Sequence, residues 1–201
     1  MARLRKGKLI TFINVLLIIF TAVVLLVAVN LEWLKSDLKT SLGIINYKFT
    51  LWDCKLDGVY GGMIVDENIK LSDMCEWLGG GDNVFCKVYD SSALLLYLML
   101  AGLIVMVFNI VVTLTFACCV NGGSMCFKVC GVMMSFLTFG LYLGSFVQYS
   151  VRASDAFDVD YHAGWGLYLV GCVLSFVSFI LAMFSSNVST YVFPSEEFEI
   201  R

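Results

Sequence analysis

The sequence predicts an all-α membrane protein, a four-transmembrane-helix bundle with a small β-containing extracellular domain in the first outer loop. The 201 residues are 60% hydrophobic and only 14% charged, whereas soluble domains are about half apolar and about a quarter charged. Four long stretches carry no charged residue, and about 20 apolar residues cross a bilayer as a helix. The one long polar segment lies between the first two of these stretches.

The first apolar stretch sets the orientation of the chain. Residues 1–8 hold four basic residues and no acid, and such residues gather on the cytoplasmic side of a membrane. Residues 9–29 then form the first span, because a helix of this length covers about 30 Å. A cleaved signal peptide is the alternative, but its apolar region is about 7–15 residues long. We therefore expect a retained first helix.

The other boundaries follow from the charges and turn residues that flank the apolar stretches. They predict an outer loop over 30–92, a second span over 93–117, a cytoplasmic loop over 118–128, a third span over 129–147, a second outer loop over 148–164, a fourth span over 165–184 and a cytoplasmic tail over 185–201. Both ends of this chain then lie inside the cell.

The first outer loop is predicted to fold as a small sheet. Residues 44–52 alternate between apolar and polar types, which is typical of a strand. We predict a second strand over 58–65, a short helix over 66–78 and a third strand over 83–89. We also expect Trp52 to pack its ring against the helix ends with its indole N–H hydrogen-bonded.

Three cysteines in the outer loop indicate a disulfide, because this side of the membrane is oxidising. Cys54 follows the first predicted strand and Cys86 lies in the third. If those strands share one sheet, the two Cα atoms reach the separation of roughly 4.4–6.8 Å that a disulfide needs. We favour Cys54–Cys86, with Cys75–Cys86 and Cys54–Cys75 as alternatives. A zinc site needs four ligands, so no metal is expected here.

A second group of cysteines lies at the predicted cytoplasmic face. Cysteines beside a membrane span are candidates for reversible palmitoylation, and buried small residues are the alternative. The candidates are Cys118, Cys119, Cys126 and Cys130.

Small residues mark the faces on which the predicted spans approach one another. Gly140 and Gly144 are four residues apart in the third span, and Gly171 and Ser175 are four apart in the fourth. Such spacing lets helix backbones come close. We expect packing inside one chain, with contacts between copies as the alternative. Residues 9–29, 93–117, 129–147 and 165–184 carry no charge, which argues against a pump or coupled transporter.

A short motif in the first outer loop resembles a known family. The residues are Phe49, Thr50, Leu51, Trp52, Lys55 and Asp57. They resemble the signature of the amastins, which are four-span surface proteins of trypanosomatid parasites. Lys48, Asp53 and Gly58 stand where that signature has Cys, Gly and Cys. Residues 161–167 resemble the entry of the last amastin helix, and the layout also resembles the claudin and peripheral myelin protein group.

The resemblance implies a non-enzymatic protein of the plasma membrane that organises the membrane or contacts host or neighbouring cells. The claudin-like layout implies, as an alternative, an adhesion or barrier protein that self-associates through the first outer loop. A channel or small-molecule transporter is a third class. The expected partners are the lipid bilayer, a second copy, or surface proteins and lipids of another cell. A net charge of −3 does not favour nucleic acid, and we expect no cofactor or catalytic residue.

Overall fold

The computed structural model describes residues 2–80, 83–119, 125–156 and 160–190. Four of its helices are long and apolar enough to cross a membrane, as expected of a helical integral membrane protein. These helices are α1 (Ala2–Val29), α3 (Val84–Cys119), α4 (Met125–Ala156) and α5 (Ala163–Thr190). Their apolar segments are Leu9–Val29, Val84–Thr115, Lys128–Asp155 and Ala163–Phe184.

A five-stranded antiparallel sheet lies in the polar segments of the chain. Its strands are β1 (Leu34–Thr40), β2 (Gly43–Phe49), β3 (Asp53–Tyr60), β4 (Met63–Lys70) and β5 (Asp160–Tyr161), and a short helix, α2 (Leu71–Trp77), follows β4. The strand order is β4-β3-β2-β1-β5. The segment between α1 and α3 thus supplies four strands, and the segment between α4 and α5 supplies the fifth.

Parts of the sheet differ from the prediction. Strand β1 was not predicted. The first five residues of the predicted helix 66–78 continue β4, because they pair with β3 up to Asp53↔Lys70. The predicted strand 83–89 is instead the start of α3. Asn83 accepts a hydrogen bond from the Cys86 amide at 2.9 Å, and this N-terminal cap favours a helix.

The chain divides into two compact units, and each of the four long helices contributes to both. The helical unit consists of Met1–Ala22, Ala101–Leu141 and Cys172–Arg201, and the sheet unit consists of Val23–Leu100 and Tyr142–Gly171. The sheet unit contains all five strands and α2.

Polar side chains join helices inside the helical unit. Ser178 of α5 donates a hydrogen bond to Asn14 of α1 at 2.7 Å. Asn109 of α3 donates to Ser135 of α4 at 2.8 Å. All four side chains are buried. Because such bonds between membrane helices contribute about 0.6 kcal/mol on average, they fix helix register more than they add stability.

The glycine pair of the third predicted span does not pack within the chain. Gly140 and Gly144 are exposed, and a Cβ added to either would meet nothing within 4 Å. The expectation of in-chain packing at these two residues is therefore wrong. Glycine spacing permits a second helix to approach closely, but it does not by itself bring a neighbouring helix to that face. Gly171 differs, since its Cβ would lie 2.5 Å from a methyl carbon of Leu25. Ser175 is buried.

Candidate functional site

Trp33, between α1 and β1, anchors the sheet. Its side chain is fully buried, and its indole N–H donates to the Ala28 carbonyl at 2.8 Å. The ring lies edge-on to Tyr149 at 5.2 Å and tilted against Tyr168 at 5.3 Å between centroids. Ser145 and Tyr168 share a hydrogen bond of 2.9 Å between their hydroxyls. An aromatic cluster of the sheet unit thus holds the start of β1.

The second polar segment is tied to the same tryptophan. The His162 amide donates to the Trp33 carbonyl, and the Gly164 amide donates to the Glu32 carbonyl, each at 2.8 Å. A Cβ at Gly164 would lie 2.6 Å from the Trp33 ring, so only glycine fits there without displacing the indole. The pairing of Leu34 with Tyr161 extends this link into β5. The two polar segments are therefore joined at Trp33, through its backbone and through its buried side chain.

Trp52 is not the buried anchor that the sequence suggested. It is 53% exposed, whereas its neighbour Leu51 is 2% exposed. The Thr50 hydroxyl accepts hydrogen bonds from the amides of Trp52 at 3.2 Å and Asp53 at 2.9 Å. This turn ends the strand alternation after Phe49. Leu51 takes the buried position and Trp52 points outward.

The motif residues have three separate structural roles. Phe49 is fully buried and packs its ring 6.2 Å from that of Phe85 in α3. Thr50, Leu51 and Trp52 form the turn between β2 and β3 described above. Lys55 forms an ion pair of 3.4 Å with Asp66, and Asp57 lies opposite Asp66 in the sheet. The motif therefore holds one turn and contributes charges to an exposed sheet face.

The disulfide joins Cys75 of α2 to Cys86 in the first turn of α3, with Cα atoms 4.7 Å apart. The favoured pairing of Cys54 with Cys86 is wrong, because residues 83–89 form a helix beside α2 and not a strand beside β3. Cys54 is a buried free thiol, and burial raises its pKa to about 12. A buried thiol of this kind stays protonated and inert near neutral pH.

The palmitoylation candidates are only partly described. Cys130 is half-buried on α4 and has a free thiol. The side chains of Cys118, Cys119 and Cys126 lie outside the described residues. Acylation of this group therefore stays a prediction.

One face of the sheet carries two belts of opposite charge. The register pairs Lys35 with Lys48 and Lys48 with Lys55, and we call these three residues the lysine belt. The next row on the same face forms the aspartate belt, which consists of Asp37, Asp57 and Asp66, with Asn46 between the first two. Like charges directly opposite one another destabilise a sheet, so both belts cost stability.

A groove of about 390 Å³ lies along this charged face. It is lined by Glu32, Lys48, Thr50, Asp53, Lys55, Asp66 and Asn68. Every lining side chain is polar, and both signs of charge are present. Within the described ranges, no three His, Cys, Asp or Glu side chains are grouped so that they could hold a metal ion.

The far end of the sheet exposes apolar side chains. Ile44 pairs with Val59, and Val59 pairs with Ile64, in one row across β2, β3 and β4. Ile64 is 85% exposed and Met63 is 73% exposed. We call these four residues, together with the exposed Leu42 of the β1–β2 turn, the apolar tip. The Gly61 amide donates to the Leu42 carbonyl at 2.8 Å, so both turns are joined in one surface.

No family model matches this chain, and no curated protein matches it.

Proposed function

We propose that this protein is a non-enzymatic surface protein of the amastin kind, which uses its sheet to contact molecules on a host or neighbouring cell. In this proposal the protein lies in the plasma membrane with both ends of the chain inside and the sheet outside. The Trp33 cluster, which lies within the sheet unit, holds the sheet.

The exposed apolar tip is the observation that carries this proposal. Contiguous exposed apolar surface rimmed by polar residues commonly marks an interaction site. The tip lies at the opposite end of β2 from Phe49, whose carbonyl accepts a hydrogen bond from the Trp33 amide. A strand of this length extends about 25 Å, so the tip stands well away from the anchor.

The tip is tested with a photo-reactive amino acid at position 64 in intact cells, followed by identification of covalent adducts. The matched control places the same group at Glu67, which is also exposed on β4 but lies further from the turn and on the face opposite Ile64. We expect adducts to a surface molecule from position 64 and few from position 67.

The double variant Met63→Asp, Ile64→Asp is then expected to weaken binding of that molecule at least about tenfold, because loss of one hot-spot side chain costs about 2 kcal/mol or more. Surface display should remain normal, since both side chains are exposed. Two results would contradict a contact role for the tip. One is unchanged binding by a double variant that is displayed normally, and the other is an equal yield of adducts from positions 64 and 67.

Self-association of the claudin kind is the second candidate, and the charge belts favour it. If two copies meet through this face with their strands antiparallel, the lysine belt of each copy faces the aspartate belt of the other. Such a two-fold contact is self-complementary, and matched charges raise the rate and specificity of association. The stability lost by placing like charges side by side is then recovered at the contact.

Charge reversal tests this second candidate. One variant carries Lys48→Asp and Lys55→Asp, and its counterpart carries Asp57→Lys and Asp66→Lys. We expect cells that express either variant alone not to aggregate, whereas a mixture of the two aggregates in a salt-sensitive manner. Unchanged aggregation of cells bearing one variant alone would overturn the role of the belts.

A further inference from the structure

The helical unit contains a small polar cavity between all four of its helix segments. The cavity has a volume of about 10 Å³ and is lined by Ile18, Thr21, Met106, Asn109, Ser135, Thr138, Ser175 and Ser178. Six of these eight residues carry hydroxyl or amide groups, and all six of those side chains are buried. Polar groups inside a membrane bundle must find partners within the protein, so the bonds that these groups make decide what the cavity can hold.

Three of the hydroxyl groups around the cavity already donate their protons within their own helices. Thr21 donates to the Leu17 carbonyl at 2.8 Å, and Thr138 donates to the Met134 carbonyl at 2.9 Å. Ser175 donates in the same way within α5, to the Cys172 carbonyl at 2.7 Å. A hydroxyl has one proton and two acceptor lone pairs. These side chains from α1, α4 and α5 therefore present hydrogen-bond acceptors to the cavity.

Donors come from the pair formed by α3 and α4. Asn109 gives one of its two amide protons to Ser135 at 2.8 Å. Ser135 is the acceptor in that bond, which leaves its own hydroxyl proton to be donated. The second amide proton of Asn109 is a further donor. The lining thus combines donors on one side with acceptors on three helices.

We propose that this cavity binds one water molecule that bridges the helices. The water accepts a hydrogen bond from Ser135 and donates to two of the hydroxyls of Thr21, Thr138 and Ser175. A buried water needs roughly 10–15 Å³ and two to four polar partners, and the cavity supplies both. A cation would use the acceptors but not the donors, and an organic ligand would not fit. This site is independent of the proposed contact function of the sheet.

A bridging water makes a specific prediction, because it couples side chains that share no direct bond. Thr21 and Thr138 each donate within their own helix. Valine has nearly the shape of threonine but no lone pairs. If both hydroxyls hold the same water, loss of either one weakens the same bridge, and the second substitution then removes little more.

The test is a double-mutant cycle on the full chain in lipid nanodiscs, with Tm as the readout. We expect Thr21→Val and Thr138→Val each to lower Tm by about 2–4 °C. The double variant is expected to lose clearly less than the sum of the two shifts, because interacting sites are not additive. The control pairs Thr21→Val with Thr115→Val, where Thr115 is exposed on α3 and outside the cavity; these shifts should add.

Additive shifts for Thr21 and Thr138 would overturn the proposal. A second measurement covers variants that fail to fold, namely an experimental structure of the unaltered chain at a resolution that shows waters. We expect one peak at hydrogen-bond distance, about 2.8 Å, from at least three of the lining oxygens. The absence of such a peak would overturn the proposal of a bound water. A Tm that rises when sodium replaces choline would also overturn it, because that result indicates a bound cation.

Discussion

Replacing Trp33 with alanine is expected to lower the free energy of unfolding by about 3–5 kcal/mol, the usual cost of truncating a buried aromatic side chain. The variant loses the ring contacts with Tyr149 and Tyr168 and the indole bond to Ala28. It also leaves a cavity where the segment after α1 meets the segment before α5. Because most domains are stable by only about 5–15 kcal/mol, we expect poor surface display and a strongly lowered Tm in detergent.

Trp52→Ala is the matched control, since it removes the same type of side chain from the turn between β2 and β3. Its ring is more than half exposed, and exposed substitutions usually change stability by less than about 0.5 kcal/mol. A large loss of display in Trp52→Ala with little effect of Trp33→Ala would reverse our assignment of the anchor.

Loss of the disulfide is the second large effect that we expect. Cys75 and Cys86 are separated by 11 positions, and closing a loop of this size stabilises a fold by about 3 kcal/mol in the chain-entropy model. Cys86→Ser should therefore lower Tm strongly, and a reducing agent should lower the Tm of the unaltered protein by a similar amount. Both measurements are made on the purified full chain.

Cys54→Ala is the control for the disulfide, because it removes a cysteine without breaking a bond. We expect a smaller loss, about 1 kcal/mol, for one small buried side chain. Peptide mapping without reduction should find Cys75 linked to Cys86, and Cys54 should react with maleimide only after denaturation. A Cys54–Cys86 peptide, or a Tm that does not respond to reduction, would contradict the structure.

The spans could be predicted because hydrophobicity acts over a whole segment. Residues 9–29 contain no charge, and the apolar segment of α1 in the structure has the same limits, Leu9–Val29. The strand predicted over 44–52 lies close to β2 for a related reason, since its alternation continues over many residues. Long patterns determine which element forms even when its ends shift by a few residues.

The shorter elements depended on contacts that the sequence does not reveal. Val84, Cys86 and Val88 alternate as in a strand, but the Asn83 cap and the bond to Cys75 place them in a helix. In β1, Leu34 and Leu38 do alternate with charged residues, and this signal was missed because Ser36 interrupts the apolar face. The charged residues of β1 would have pointed to the lysine belt, because Lys35 belongs to it.

The two tryptophans illustrate the same limit at the candidate site. Residue type alone favours burial of both. What separates Trp33 from Trp52 is a close fit to Gly164 in one case and a turn built by Thr50 in the other. Both are tertiary or turn features, so the motif that pointed to Trp52 could not show that it is exposed.

The topology is the central claim of this account, and protease protection in intact cells tests it most directly. Tags are fused at Met1 and Arg201, and a third tag is inserted near Gly80 between α2 and α3. We predict that both terminal tags are protected and that the tag near Gly80 is cut. Cleavage of the tag at Arg201 from outside, with the tag near Gly80 protected, would contradict a sheet that faces other cells.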